Sequence, residues 1–237
     1  MRMPNPQSII LNLREYIFLS LKELPIITSV GPLFLGITQG NMNLLMLAFG
    51  CAIIAPAGAG IVGGLLGYLL SFIDSKIKSD GSYWKLPLSD VTPLLPQVAE
   101  GARNSNMLVS VTPTYWFTIM FFFFGYLVQN AISLYIEEPR ANADPEKVNN
   151  RKSQSIISLI MITILGIFTA AAKTALQGGE TLLGIIMASL TGTILAYFWF
   201  HFLKRCGAGR LEDVFGIQAR ILPESSTANK PIVCLSD

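Results

Sequence analysis

The sequence has little charge for its length. Only 14% of its 237 residues are Asp, Glu, Lys or Arg, against about 25% in an average soluble domain. Apolar residues make up 51% of the chain, and the mean hydropathy is +0.52. A soluble domain could not solvate so apolar a surface, so the composition predicts that a lipid bilayer is part of the solvent. The net charge of +2 is too small to indicate a nucleic-acid partner.

Cysteine and histidine are also scarce, which bears on metal sites and cofactors. Cys51, Cys206 and Cys234 have spacings that fit neither a zinc motif nor a disulfide framework. The single histidine, His201, has no second metal ligand at a useful spacing. No nucleophile elbow, phosphate-binding loop or His-Glu-x-x-His motif occurs. We therefore predict no metal, no cofactor and no catalytic residues, and we rank an intramembrane enzyme last among the candidate functions.

Long apolar runs dominate the rest of the chain. Four of them, at residues 44–73, 115–136, 155–175 and 182–203, are long enough to cross a hydrocarbon layer of about 30 Å as helices. Aromatic residues lie near the ends of these runs, as is typical of the membrane interface. The predicted fold class is an all-α integral membrane protein with a bundle of four transmembrane helices, and a bundle of five is the alternative.

The amino-terminal region decides between four helices and five. Residues 1–24 place an apolar stripe opposite charged residues, which predicts an amphipathic helix in the headgroup layer. Residues 25–40, with two prolines and three glycines, are either a short span or a re-entrant segment of a transmembrane domain that covers 25–203. If they do not cross, most of the 17 Lys and Arg residues lie on one side of the membrane. The positive-inside rule favours that arrangement, which has both termini in the cytoplasm.

The carboxy-terminal region, residues 204–237, is predicted as a soluble tail. Cys206 lies just beyond the last apolar run and follows two basic residues, which predicts reversible palmitoylation, with a free thiol as the equal alternative. Apolar residues at helical spacing within 211–221 predict one short amphipathic helix. We expect residues 205–222 to recruit a partner.

Small residues recur four positions apart in the apolar runs. In lipid this spacing lets helices approach closely, so it predicts helix packing, in a tight bundle or a homo-oligomer, rather than a pore lining. The residues are Gly60, Gly63, Gly64, Gly67, Ala188, Gly192 and Ala196. Pro56 precedes the glycines in the same run and predicts a kink.

Polar side chains are rare inside the apolar runs. Gln129 and Asn130 are the deepest amides, and Tyr126 lies one turn before Asn130. We interpret them as interhelical hydrogen-bonding groups, with contact to a solute as the alternative. Lys173 and Glu180 flank the link between the last two runs, where an exposed ion pair between them would contribute little. Channels and pumps usually keep ionisable groups at membrane depth, so this scarcity argues against conduction.

The carboxy-terminal third carries the most distinctive segments of the chain. They include "NNRKSQSIISLIMITILGIF", "CGAGRLEDVFGI" and "PIVCLSD". Over residues 145–237 the chain resembles multi-pass membrane proteins of large DNA viruses of algae and protists. The resemblance implies a location in a viral internal membrane or in membranes of the infected cell. It implies no activity and no functional residues.

Together, the patterns favour a structural or assembly protein that anchors or recruits partners at a membrane. Membrane lipid, further copies of the chain and other membrane or capsid proteins are the predicted partners. The alternative is a small-solute transporter or channel that uses a break in the helix at Pro56–Gly64, since discontinuous helices can form binding sites at the centre of a bilayer.

Overall fold

The computed structural model describes residues 6–77, 81–87, 108–136 and 145–206. These residues form α1 (Pro6–Gln39), α2 (Met42–Phe49), a π-helical segment (Gly50–Ile54), α3 (Ala55–Ile77), β1 (Lys85–Pro87), β2 (Leu108–Ser110), α4 (Tyr115–Ile136), α5 (Pro145–Leu176) and α6 (Leu182–Arg205). The two short strands pair antiparallel as a ribbon. Five helical stretches are long and apolar enough to cross a membrane: Glu15–Gln39, Met42–Ile77, Tyr115–Ile136, Val148–Leu176 and Leu182–Arg205. The predicted all-α membrane bundle is confirmed, and the described residues contain five such helices, the alternative to the four that the sequence favoured.

The first helix runs through the boundary predicted after residue 24. Pro25 and Pro32 both lie inside α1, and both are buried against the bundle. Pro25 has no N–H to donate to the carbonyl of Leu21, and the indole N–H of Trp116 donates to that oxygen instead, at 2.9 Å. The prolines therefore mark the packed face of α1 and not its end. Residues 25–40 continue the helix that precedes them, so the boundary predicted after residue 24 does not interrupt α1.

The second apolar stretch is one continuous helix with a π-helical turn in it. Asn41 caps its start, and the side-chain oxygen accepts a hydrogen bond from the backbone N–H of Asn43 at 3.0 Å. The π-helical segment ends directly before Ala55 and Pro56. In a regular α-helix the Pro56 ring would collide with the carbonyl of Ala52, and the wider turn relieves this collision. The break predicted at Pro56 is therefore a local widening.

Helix α4 lies at the centre of the bundle. It packs against α6 along most of its length and also contacts α5, α3 and α1. Its largest fully buried side chains are Phe117, Phe122 and Tyr126. By contrast, α5 exposes most of its apolar side chains, and Phe168 is 69% exposed. Such a surface suits contact with lipid tails, which do not penalise apolar groups.

The bundle has two distinct ends. The ribbon end comprises the end of α3, both strands, the starts of α4 and α6 and the end of α5. The Gln177 side chain donates to the carbonyl of Phe18 at 2.6 Å, so the first part of α1 also lies there. The tail end comprises the α1–α2 turn, the ends of α4 and α6 and the start of α5. There, the Trp199 indole donates to the carbonyl of Met46 at 3.1 Å.

The two terminal helices therefore run in the same direction, and the start of α1 and the end of α6 lie at opposite ends of the bundle. The α1 chain enters at the ribbon end, and α6 finishes at the tail end with Lys204 and Arg205 in its last turn. Both termini on one side would require that residues 25–40 do not cross, whereas Glu15–Gln39 is long and apolar enough to cross. Of the predicted tail, only residues 204–206 belong to the described part of the chain. The helix predicted within 211–221 and most of the recruiting segment 205–222 lie outside it.

Candidate functional site: the α4–α6 contact and the ion pair at its end

The small residues of α6 lie against α4 at very short range. Ala188 and Ala196 are fully buried. A Cβ atom added to Gly192 would lie 2.5 Å from the Thr118 carbonyl oxygen and 2.9 Å from the Phe122 nitrogen. The backbones of the two helices therefore touch at Gly192. Close approach of this kind is what small residues permit in a membrane.

The glycines of α3 are in a different environment. A Cβ atom at Gly60 would come no closer than 3.5 Å to the Tyr115 hydroxyl, and one at Gly63 no closer than 3.5 Å to residues of the α4 entry loop. At Gly67 the nearest atom would be 4.0 Å away, in Trp84, and at Gly64 no atom of the described residues lies within 4 Å of an added Cβ. Among the described residues, none of the four touches the backbone of another helix, and only Gly60 comes near one, at the Tyr115 hydroxyl. Gly60 and Gly64 are exposed, so they do not border an internal path.

Tyr126 and Asn130 both point into the bundle. Tyr126 is fully buried and Asn130 is 7% exposed, whereas Gln129, on the neighbouring face of α4, is half-buried. The Tyr126 ring contacts the edge of Phe200, with 5.4 Å between ring centres. Within the described part of the chain the Tyr126 hydroxyl has no hydrogen-bond partner. The structure thus brings together two of the three polar residues that the sequence singled out.

The π-helical segment adds a thiol to this region. Cys51 is fully buried and shares a cluster with Tyr126, Phe122 and Phe200. Because every neighbour in that cluster is apolar apart from the Tyr126 hydroxyl, the environment suits packing. Cys206, the other free cysteine among the described residues, is exposed directly after α6, as a juxtamembrane modification site would require.

A buried ion pair lies at the ribbon end of the α4–α6 contact. Lys173 Nζ is 3.6 Å from Glu180 Oε1, and the two side chains are 0% and 6% exposed. The same Nζ atom donates to the carbonyl of Gly178 at 3.2 Å and lies 5.6 Å from the centre of the Trp116 ring. The sequence predicted this pair as an exposed one. It is buried instead, because the link folds back over the end of α5 through Gly178 and Gly179, both with positive φ.

The environment of Glu180 disfavours its charged form. Burial raises its pKa to about 7, although Lys173 opposes the change. Immediately after Glu180, the hydroxyl of Thr181 accepts a hydrogen bond from the N–H of Gly184 at 3.0 Å and caps α6. Close contact between Gly184 and the Val111 carbonyl then joins α6 to the loop that enters α4. The ion pair therefore lies buried at the point where α4, α5 and α6 meet.

A second buried acidic residue, Asp74, binds several side chains at the end of α3. Asp74 is 8% exposed. Its carboxylate accepts hydrogen bonds from the Tyr83 hydroxyl at 2.7 Å and from the Trp84 indole at 2.8 Å. Lys85 Nζ lies 3.8 Å from the same carboxylate and 4.2 Å from the Trp84 ring centre. The hydrogen bond to Asp74 raises the pKa of Tyr83.

Sequence reasoning missed Asp74, although a signal was present. Asp74 is an acidic residue at the end of a long apolar run, and three possible partners follow in "YWK". A carboxylate at that depth requires donors nearby. Among the described residues, no group of three His, Cys, Asp or Glu side chains is placed to hold a metal ion.

Comparison with known proteins adds no assignment: no family model, no curated protein and no solved structure matches the chain. The function must therefore be inferred from the geometry of the site. That geometry holds α4 and α6 together without space between their backbones at Gly192. It also buries one lysine and one glutamate at the end of the contact.

Proposed function

We propose that the protein is a structural or assembly protein that anchors or recruits partners at a membrane. The observation that carries the proposal is the α4–α6 contact, where the backbones touch at Gly192. A helix pair closed in this way suits a rigid anchor. Its partners would be membrane lipid, further copies of the chain and other membrane or capsid proteins. The resemblance of residues 145–237 to proteins of large DNA viruses extends the proposal to a viral membrane within the virion.

The outer face of α3 is the surface we assign to self-assembly. A Cβ atom added to Gly64 would have no atom of the described residues within 4 Å, and its neighbours Ile61 and Leu65 are 68% and 69% exposed. A second helix could therefore approach the backbone of α3 closely, which is the main route to helix association in lipid. This face is on the outside of the bundle, so association would not disturb the α4–α6 contact.

A mass measurement of the full chain in mild detergent tests this proposal. We expect wild-type protein to be a dimer or larger, and Gly64→Leu to shift it to the monomer. Ile164→Leu is the matched control, since Ile164 is 58% exposed on α5 and the change keeps an apolar surface. A monomeric wild type, or a Gly64→Leu protein of unchanged mass, would argue against assembly through α3.

A transporter is the second candidate, and the buried Lys173–Glu180 pair is the observation that favours it. Ionisable groups kept out of water near a membrane often mark a proton or solute pathway. Proton flux into proteoliposomes that contain the purified chain, followed with a pH-sensitive dye, separates the two functions. Our proposal predicts no flux above that of empty vesicles. Flux that disappears in the double variant Lys173→Met/Glu180→Leu, which removes both charges and leaves no buried charge unpaired, would instead establish transport.

For the orientation, we propose that the tail end faces the cytoplasm and the ribbon end the opposite side. Arg151 and Lys152 in α5, and Lys204 and Arg205 at the end of α6, place basic side chains close to the membrane at the tail end. The prediction of two cytoplasmic termini stays open to the same test. A cysteine introduced at residue 41, labelled from one side only, should react from the cytoplasm in both arrangements. A cysteine introduced at Ser8, near the start of α1, should react from the opposite side if α1 crosses and from the cytoplasm if it does not.

A further inference from the structure

A groove between α4 and α5 opens at the tail end of the bundle. Its volume is about 220 Å³. It is lined by Ala131, Ile132 and Tyr135 from α4 and by Ser155, Ile156 and Leu159 from α5. The lining is almost entirely apolar, and the groove lies on the side of α4 that faces α5. It is therefore separate from the α4–α6 contact and from the ion pair at the ribbon end.

The upper rim of the groove is basic. Arg151 and Lys152 precede Ser155 by about one turn, so they lie on the same face of α5 as the groove lining. Lys152 Nζ lies 5.9 Å from the centre of the Tyr135 ring, so a cation from α5 and an aromatic ring from α4 meet above the groove. Tyr135 is 45% exposed, as expected for an aromatic residue at the membrane interface.

The groove thus has the polarity of an amphiphile, with positive charge at one end and apolar side chains below. Its outer side opens onto the exposed apolar surface of α5, where Ile156 is 44% exposed. An occupant can therefore enter sideways from the lipid. A volume of about 220 Å³ is smaller than that of common small-molecule sites, about 300–1,000 Å³. It accommodates part of one acyl chain and not a whole ligand.

We propose that this groove binds one anionic phospholipid. The phosphate lies against Arg151 and Lys152, and an acyl chain lies along Ile132, Ile156 and Leu159. Charge complementarity selects the anionic headgroup, because a basic pocket between transmembrane helices recognises negative lipids. Glu137 and Glu138 follow α4 directly in the sequence, so this acidic pair would reduce the preference for an anionic headgroup that the two basic residues give. The site is independent of the function proposed above.

Native mass spectrometry of the full-length protein tests the headgroup preference. The protein is equilibrated in micelles that contain equal amounts of phosphatidylglycerol and phosphatidylcholine with the same acyl chains. Each basic side chain near the headgroup contributes about a fivefold preference for the anionic lipid. We therefore expect adducts of phosphatidylglycerol to exceed those of phosphatidylcholine by at most about thirtyfold and by more than about twofold, because the acidic pair opposes the two basic side chains, and by less than about twofold in Arg151→Gln/Lys152→Gln.

The control variant is Lys76→Gln. Lys76 Nζ lies 5.7 Å from the centre of the Phe72 ring at the ribbon end. It reproduces the lysine–aromatic contact away from the groove, so its removal should leave the preference unchanged. Equal retention of the two lipids by wild type, or an equal loss of preference in Lys76→Gln, would overturn the proposal.

A second variant tests the groove itself. Ile156→Trp fills the groove from an exposed position, so the fold should be kept and the tightly held lipid lost. Unchanged retention of phosphatidylglycerol in this variant would show that the groove does not hold the acyl chain. A change in the oligomeric mass, with lipid retention unaffected, would show that the occupant is a second copy of the chain. Either result contradicts the proposal.

Discussion

The same sequence pattern has two different environments in this bundle. On α6, small residues four apart lie directly against α4, and Gly192 leaves no space for a Cβ atom. On α3, Gly60 and Gly64 have the same spacing but face outward, and no atom of the described residues lies within 4 Å of a Cβ at Gly64. The α6 stripe holds the chain together, whereas the α3 stripe is open to whatever surrounds the protein.

The difference shows what the spacing of small residues can predict. It identifies a helix face that another backbone can approach, but it does not identify the partner. The partner depends on which elements lie next to that face, and these differ between the two helices. α6 follows a tight link through Gly178 and Gly179 that returns the chain towards α4, while the face of α3 with Gly64 is left uncovered.

The largest expected effect comes from the ion pair that closes the α4–α6 contact. Lys173→Met leaves the Glu180 carboxylate buried without its cation, so we expect the free energy of unfolding to fall by about 3–5 kcal/mol at pH 8. The double variant Lys173→Met/Glu180→Leu should recover most of that loss, because an apolar pair needs no compensation. Denaturant unfolding in a fixed detergent measures both.

The control for this prediction is the more exposed ion pair at the ribbon end of the bundle. Lys85 pairs with Asp74 at 3.8 Å, but its side chain is 29% exposed. Lys85→Met should therefore cost less than about 1 kcal/mol. Equal losses of unfolding free energy in Lys85→Met and Lys173→Met would show that the buried ion pair at the end of the α4–α6 contact contributes no more to stability than the exposed pair at the end of α3.

The pH dependence of stability sharpens the same comparison. The pKa of Glu180 is about 7 in the folded chain, against an ordinary value of 4.5, so folding takes up a proton between these two values. The contribution of Glu180 to stability is therefore greatest below pH 4.5, decreases as the pH rises to about 7 and is constant above that. The total decrease is about 3 kcal/mol.

Glu180→Gln isolates this contribution, since glutamine does not titrate. The difference in unfolding free energy between wild type and Glu180→Gln should change between pH 5 and pH 8, with wild type relatively more stable at pH 5. A difference that is constant with pH, or one of the opposite sign, would contradict the burial of a titrating carboxylate at this position.

Most of the helical architecture could be predicted from the sequence. Long apolar runs must form helices in lipid because backbone groups there have no water to bond, and α4 occupies the predicted residues 115–136. Prolines misled the interpretation of α1. Pro25 would normally end a helix in water, but here the missing hydrogen bond is replaced by one from Trp116, 91 residues along the chain from Pro25. Nothing local in the sequence indicates such a partner.

The candidate site was less predictable than the helices. The sequence placed Lys173 and Glu180 close together, because they flank a short link, but exposure depends on neighbouring helices. Burial of the pair follows from contacts with Trp116 and the folded-back link. Likewise, Tyr126 and Asn130 share a helix face by their spacing, but only the packing of α6 and the π-helical segment shows that this face is internal.

The smallest expected effects come from alanine substitutions at Gly64 and Gly192. They test the difference between the α3 and α6 stripes most directly, because the two substitutions should change the stability in opposite directions. Alanine favours a helix over glycine by up to about 1 kcal/mol. Gly64→Ala should therefore stabilise the chain slightly in a detergent that keeps it monomeric. At Gly192 the new methyl group would collide with backbone atoms of α4, which cannot rotate away as a side chain can. We expect Gly192→Ala to cost about 1–3 kcal/mol overall. Thermal unfolding of the two variants under identical conditions measures the difference, and losses of equal size would mean that α3 is packed as closely as α6.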